Sequence, residues 1–162
     1  ETFMYETSPT LNFSTDDFGA TMEIVENDLS GFSYSPVFSY FTWAVEELES
    51  YDYSQNQCWS DQYKKIFVAN LIINQIDDVK GLTETTRQNY LSEAHFIRAL
   101  SYWWLVNHFS MPYAEENMDE PGVPLKQTTS YEESLKRGTL KEVYALIEND
   151  LVEALKLSLI HI

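Results

Sequence analysis

Tyr51 and Tyr53 flank Asp52, with Gln55 and Asn56 just behind, and rings set beside short polar tips suit one chemistry above others. Flat apolar rings cover the C–H faces of pyranose sugars, while carboxylates and amides exchange hydrogen bonds with the hydroxyls. The same mixture recurs upstream, where Phe18, Phe32, Tyr34 and Trp43 are interleaved with Asp16, Asp17 and Asn27. Asp17, Phe32, Tyr34, Tyr51, Asp52 and Tyr53 are accordingly the candidate ligand-binding residues. For any single member a packing role stands beside the binding one, and Trp43, inside a helical stretch, suits a core better.

Nothing in the chain has the spacing that catalysis needs. There is no nucleophile elbow, phosphate loop, HExxH or CxxC, and the five glycines stand singly. Carboxylates are too plentiful for one acid–base pair to stand out. His95 and His108 are too far apart along a helix to share a metal, and no carboxylate completes a zinc-like set. No catalytic residue, metal ligand or cofactor is expected.

Composition narrows the partners. With 44% hydrophobic and 15% aromatic residues, the 162-residue chain can bury one sizeable core. Ten basic residues against 26 acidic ones give a net charge of −16, a field that repels nucleic acid. Cys58 is the lone cysteine, so no intrachain disulfide can form. No apolar run reaches membrane-spanning length. The chain opens on Glu1 without a signal peptide, which suggests a mature form or a fragment. Its last six residues, 157–162, match one reading frame of a sequencing adapter and are expected to be a non-native tail.

The elements that must position these residues are helical. Residues 1–58 read as an irregular, aromatic-rich segment with a short helix near 21–28 and another over 36–50, opened by Ser35-Pro36. Trp59, Tyr63, Ile66, Phe67, Asn70, Leu71, Ile73 and Asn74 then recur at helical spacing, and Lys80-Gly81 supplies a last-turn cation and a C′ glycine. Thr83 or Thr85 can cap a second helix running from about 86 to 109. It carries two apolar stripes, one through Leu91, Ala94, Ile97 and Trp104, the other through Phe96, Ala99, Trp103 and Val106. Such a helix is packed on two sides.

Met111-Pro112 stops it, and the stretch to Tyr131 reads as loop. Thr139 and Glu142 form a capping box for a third helix, with Leu140, Val143, Tyr144, Ile147, Leu151 and Leu155 on one face. The expected fold is all-α, with antiparallel helix pairs of tetratricopeptide-like kind over residues 59–156, cut short of a full stack.

Specific residues then carry a family likeness. Ser92-Glu93-Ala94-His95-Phe96-Ile97-Arg98-Ala99-Leu100 resembles the SusD/RagB signature helix, E-A-x-F-x-R-A running into aromatics. A turn at Ser110-Met111-Pro112 and a Gly122-Val123-Pro124-Leu125 segment follow in the family's order. Trp59–Ile73 upstream and Arg137–Ala154 downstream resemble the flanking repeat helices, so the likeness covers about 59–155. Ser110 departs from it, standing where the family commonly has glycine, and puts a left-handed turn in doubt there.

The resemblance implies a lipid-anchored protein on the outer face of a Bacteroidota-type outer membrane. It would hold oligosaccharide, or in some members peptide, as a lid on a SusC-like TonB-dependent transporter. Membrane contact would come only through a lipid anchor, and Cys58 lies too deep to carry it. Ligand contacts in this family do not fall on the signature helix, so Glu93 and Arg98 are each expected in a structural role, a partly buried ion pair or a cap on a neighbouring helix. Trp59, Trp103 and Trp104 invite a sugar-stacking role, but their helical spacing favours core packing.

Two other classes stay open. A cytosolic helical-repeat scaffold would explain the helix pairs but not the ordered signature, and an upstream signal peptide ending at a cysteine would exclude it. An α/α-barrel glycan hydrolase would show turnover that a single acidic substitution abolishes.

Overall fold

In the computed structural model of the chain, residues 57–130 and 135–159 are described. Helix α1 spans Gln57–Gln75 and tightens into a 3-10 turn, Ile76–Asp78. Helix α2 runs Glu84–Phe109, a second 3-10 turn covers Glu115–Asn117, and strands β1 (Pro121–Pro124) and β2 (Arg137–Thr139) precede helix α3, Leu140–Leu159. The helices expected at 21–28 and 36–50 lie outside the described residues, as do 160–162 of the expected tail. Residues 157–159 form the end of α3.

The helix starts follow from local chemistry. The Thr83 hydroxyl accepts the Thr86 N–H at 3.1 Å, so the earlier of the two candidate threonines is the cap and α2 begins at Glu84. At α3 the capping box closes both ways: Thr139 N–H donates to Glu142 Oε2 at 2.7 Å, and Glu142 N–H donates to Thr139 Oγ1 at 3.2 Å. Accepting the Thr139 backbone N–H and then its hydroxyl holds the Glu142 carboxyl below its usual value. Two further N–H groups of that first turn are met from a distance. Leu140 donates to Glu120 O and Lys141 to Met118 O, both at 2.9 Å.

Gly81 departs from its expected place. The α-helix proper stops at Gln75, so Gly81 is not its C′ residue; it turns the connecting loop at φ +85°, a conformation that strains any L side chain. Ser110 needs no such freedom. It leaves α2 in extended geometry, φ −137° and ψ 174°, so the turn forms without a left-handed residue. Its hydroxyl is buried and finds no partner among the described residues.

Contacts fix the helix directions. Trp59 meets Phe109 and Asn70 meets Arg98, so α1 and α2 run antiparallel. Ser92 meets Ala154 and Arg98 meets Asp150, so α2 and α3 do as well. Helix α2 is therefore the middle layer, as its two stripes predict. Ile66, Tyr102, Leu105, Val106, Val123, Leu140 and Val143 are buried together between the three helices and β1. Each contributes about 1.5–3 kcal/mol by leaving water.

The strand pair was not expected. β1 and β2 are antiparallel, pairing Pro121 with Thr139 and Pro124 with Arg137 around an irregularity. Two prolines with no N–H to donate make Pro-Gly-Val-Pro read as a break rather than a strand. Packing explains the motif. A Cβ on Gly122 would stand 2.8 Å from Val143 Cγ2 and 3.2 Å from two β2 carbonyls, so only glycine fits. Val123 fills the core, and the Pro124 carbonyl accepts the Tyr63 hydroxyl at 2.8 Å.

Candidate functional site

The signature residues of α2 meet α3 at a buried polar node. Arg98 grips Asp150 with two parallel bonds, Nε to Oδ2 and Nη2 to Oδ1, each 2.7 Å. Its remaining nitrogen, Nη1, reaches Asn70 Oδ1 on α1 at 2.7 Å. His95 Nδ1 lies 2.7 Å from Asp150 Oδ1. Asp150 is 0% exposed, and it faces inward because it falls in the run Leu140, Val143, Ile147, Asp150, Ala154 at three-and-four spacing. Burial pushes its carboxyl up, but the hydrogen bonds from Arg98 and His95 prevail and hold it below the usual value.

The node also fastens the chain that follows β1. Asn70 Nδ2 donates to the carbonyls of Lys126, at 3.0 Å, and Thr128, at 3.4 Å. Asn74 donates to Gln127 O at 3.1 Å. The Tyr102 hydroxyl donates to Lys126 O at 2.8 Å and accepts the Lys126 N–H at 2.6 Å. Burial, then the neighbouring Tyr102, pushes the Tyr63 phenol far up against the opposing pull of Arg137, so it remains a donor to Pro124.

Arg98 is thus a structural cation, as expected, whereas Glu93 points to solvent outside this node. Ala94 and Ala99 are buried and small enough for the neighbouring helices to approach. Asp150 falls within the downstream family likeness but was given no role from the sequence, although a carboxylate on the inward register of an amphipathic helix is a legible sign of a buried counter-charge.

The tryptophans divide. Trp59 packs as its spacing suggests, 5.0 Å from Tyr63 and edge-on to Phe109 at 4.9 Å, with the Arg137 guanidinium 5.9 Å from its ring centre. Trp104 is half-buried and stacks on His108 at 4.8 Å. Trp103 corrects the expectation of core packing: it is 46% exposed and lines an open groove of about 650 Å³.

Asn107, Tyr113, Tyr144, Glu148, Leu151 and Leu155 line that groove with it. Leu151 and Leu155, expected on the core face, each follow a core residue by one position and so are turned about 100° from it. Tyr113 meets Tyr144 edge-on at 4.6 Å, and burial, then Tyr113, pushes the Tyr144 phenol up.

The six candidate ligand residues, Asp17, Phe32, Tyr34, Tyr51, Asp52 and Tyr53, lie outside the described residues. Among the described residues no three His, Cys, Asp or Glu side chains gather to hold a metal. Among them also, no helix is long and apolar enough to cross a membrane.

Comparison with known proteins agrees with this frame. Residues 4–159 match a SusD-like family described as starch-binding associating with outer membrane. The SusD-like protein P25 of Formosa agariphila is 30% identical over 86 residues, which are 52% of this chain and 16% of that protein. A crystal structure of a SusD superfamily protein from Bacteroides thetaiotaomicron aligns with a TM-score of 0.56 and 27% identity. That alignment covers 61% of this chain and 22% of the other, so the chain spans about a fifth or less of the relatives it matches.

Proposed function

The chain belongs to this SusD-like family, and on that premise we propose that it is part of a cell-surface glycan-binding protein that serves an outer-membrane transporter. The observation that carries the reading is the match of residues 4–159 to a family described by starch binding and outer-membrane association. The buried Arg98–Asp150–Asn70 node supports it, because the signature residues then hold the scaffold and leave recognition to other segments.

In this reading a lipid anchor tethers the full-length protein to the outer leaflet. A SusC-like TonB-dependent transporter receives the captured oligosaccharide, and the protein binds its ligand without turning it over. Tyr51 and Tyr53 stack on the sugar while Asp17 and Asp52 take its hydroxyls, with Phe32 and Tyr34 completing the apolar surface.

Titration of starch-type oligosaccharides against the full-length protein tests this. Saturable binding without hydrolysis is expected, and Tyr51→Ala or Tyr53→Ala should weaken it about tenfold, ~1.4 kcal/mol. Capture of peptides with no response to any glycan would move the protein to the peptide-binding members. Unchanged affinity in both tyrosine variants would remove the site assignment and leave the family standing.

A further inference from the structure

We propose that residues 124–128 act as a latch coupled to the docking of α3, with Asn70 as the positioning residue that joins the two events. The latch lies across α1 and α2, where Tyr63, Asn70, Asn74 and Tyr102 hold its carbonyls. Asn70 is bonded to Arg98 as well, and it is 0% exposed.

The polarity of that one amide carries the inference. An amide can turn over with little change of shape, but its two ends have opposite hydrogen-bonding character. As it stands, Nδ2 donates to the carbonyls of Lys126 and Thr128, at 3.0 and 3.4 Å, while Oδ1 accepts Arg98 Nη1 at 2.7 Å. Turned over, the NH2 group would face a guanidinium that can only donate, and the oxygen would face two carbonyls that can only accept. Arg98 therefore fixes which end of Asn70 the latch meets.

Arg98 can do this only while its own charge is met. It is 5% exposed, and the carboxylate that grips its other edge, Asp150, arrives with α3. A buried guanidinium without a counter-charge is strongly disfavoured, so with α3 undocked Arg98 turns to water and the Asn70 oxygen loses its donor. An amide that has lost the partner at its oxygen is a poorer donor at its nitrogen and is free to turn over. Closure is thus tightest once α3 is in place. By reciprocity, a closed latch holds Arg98 ready for Asp150.

Hydrogen exchange in the full-length protein tests this, read by mass spectrometry on peptides covering residues 124–128 and scaled to the exchange of α3 amides. The Lys126 N–H donates to the Tyr102 hydroxyl at 2.6 Å, so it exchanges when the latch opens. Arg98→Lys keeps a cation opposite Asp150 but lacks the second arm that reaches Asn70, and should speed latch exchange about fivefold while α3 changes little. Asn70→Leu should speed it about tenfold alone and only about twofold in the Arg98→Lys protein, since the two changes break one connection. Tyr63→Phe, which removes a grip on Pro124, should instead add in full to Arg98→Lys. If Arg98→Lys unfolds the protein, Asp150→Asn takes its place in the same cycle. Strictly additive effects of Arg98→Lys and Asn70→Leu would overturn the proposal, as would latch exchange that rises only in step with α3.

Discussion

Arg98 and Trp103 stand on the same helix, five residues apart, and invert the usual placing of charge and apolar surface. The guanidinium is sealed between three helices, whereas the indole lies 46% exposed along an open groove. The difference teaches what each kind of contact is for. Hydrogen-bonded charge is directional, so a buried Arg98 that reaches Asp150 with one edge and Asn70 with another sets how α1, α2 and α3 sit against each other. Apolar surface is not directional and will take any neighbour of suitable shape, so Trp103, Leu151 and Leu155 suit a contact made later or from elsewhere.

The sharpest way to break this contrast is to remove one side of the ion pair. Asp150→Ala leaves the guanidinium buried without its counter-charge and should cost ~3–5 kcal/mol in urea denaturation. A loss below ~1 kcal/mol would mean that the node is solvated and the contrast false. Replacing both partners by apolar residues, Arg98→Met with Asp150→Leu, should recover much of the loss, since the pair contributes more to register than to net stability.

Acid tests the same node more gently. The Asp150 carboxyl is held below its usual 3.8, so its stabilising contribution is complete above that value. It is lost as the pH falls through the lower, folded-state value, and Asp150→Asn should flatten this acid limb in a pH series of denaturation curves. The smallest expected effect belongs to the groove. In the present chain Leu155→Ser should change stability by no more than ~0.5 kcal/mol. A loss beyond ~2 kcal/mol would show that the groove is already filled.

What the sequence disclosed follows the range over which each signal acts. The Thr83 cap and the Thr139–Glu142 box were legible because donor and acceptor lie within three residues of each other. The β1–β2 pair was not, since its partners are remote in sequence and its prolines imitate a loop. The stripes of α2 and α3 were found, but periodicity reports which residues share a face and not whether anything covers it. Leu151 and Leu155 were therefore assigned to a core they only adjoin. Arg98 was read correctly as structural, although its partner came from 52 residues away. The aromatic, acidic segment proposed to bind ligand rests on residue types alone, for it lies outside the described residues.

The stretch 124–128 has one further consequence, for solubility. An extended segment next to a two-stranded sheet normally leaves a row of free backbone groups on which another chain can add a strand. Here side chains stand in for the absent neighbour. Tyr63 donates to the carbonyl of Pro124, Tyr102 engages both backbone groups of Lys126, and Asn74 and Asn70 donate to the carbonyls of Gln127 and Thr128. Helical side chains thus occupy four carbonyls of that stretch, which are the acceptors an added strand would need.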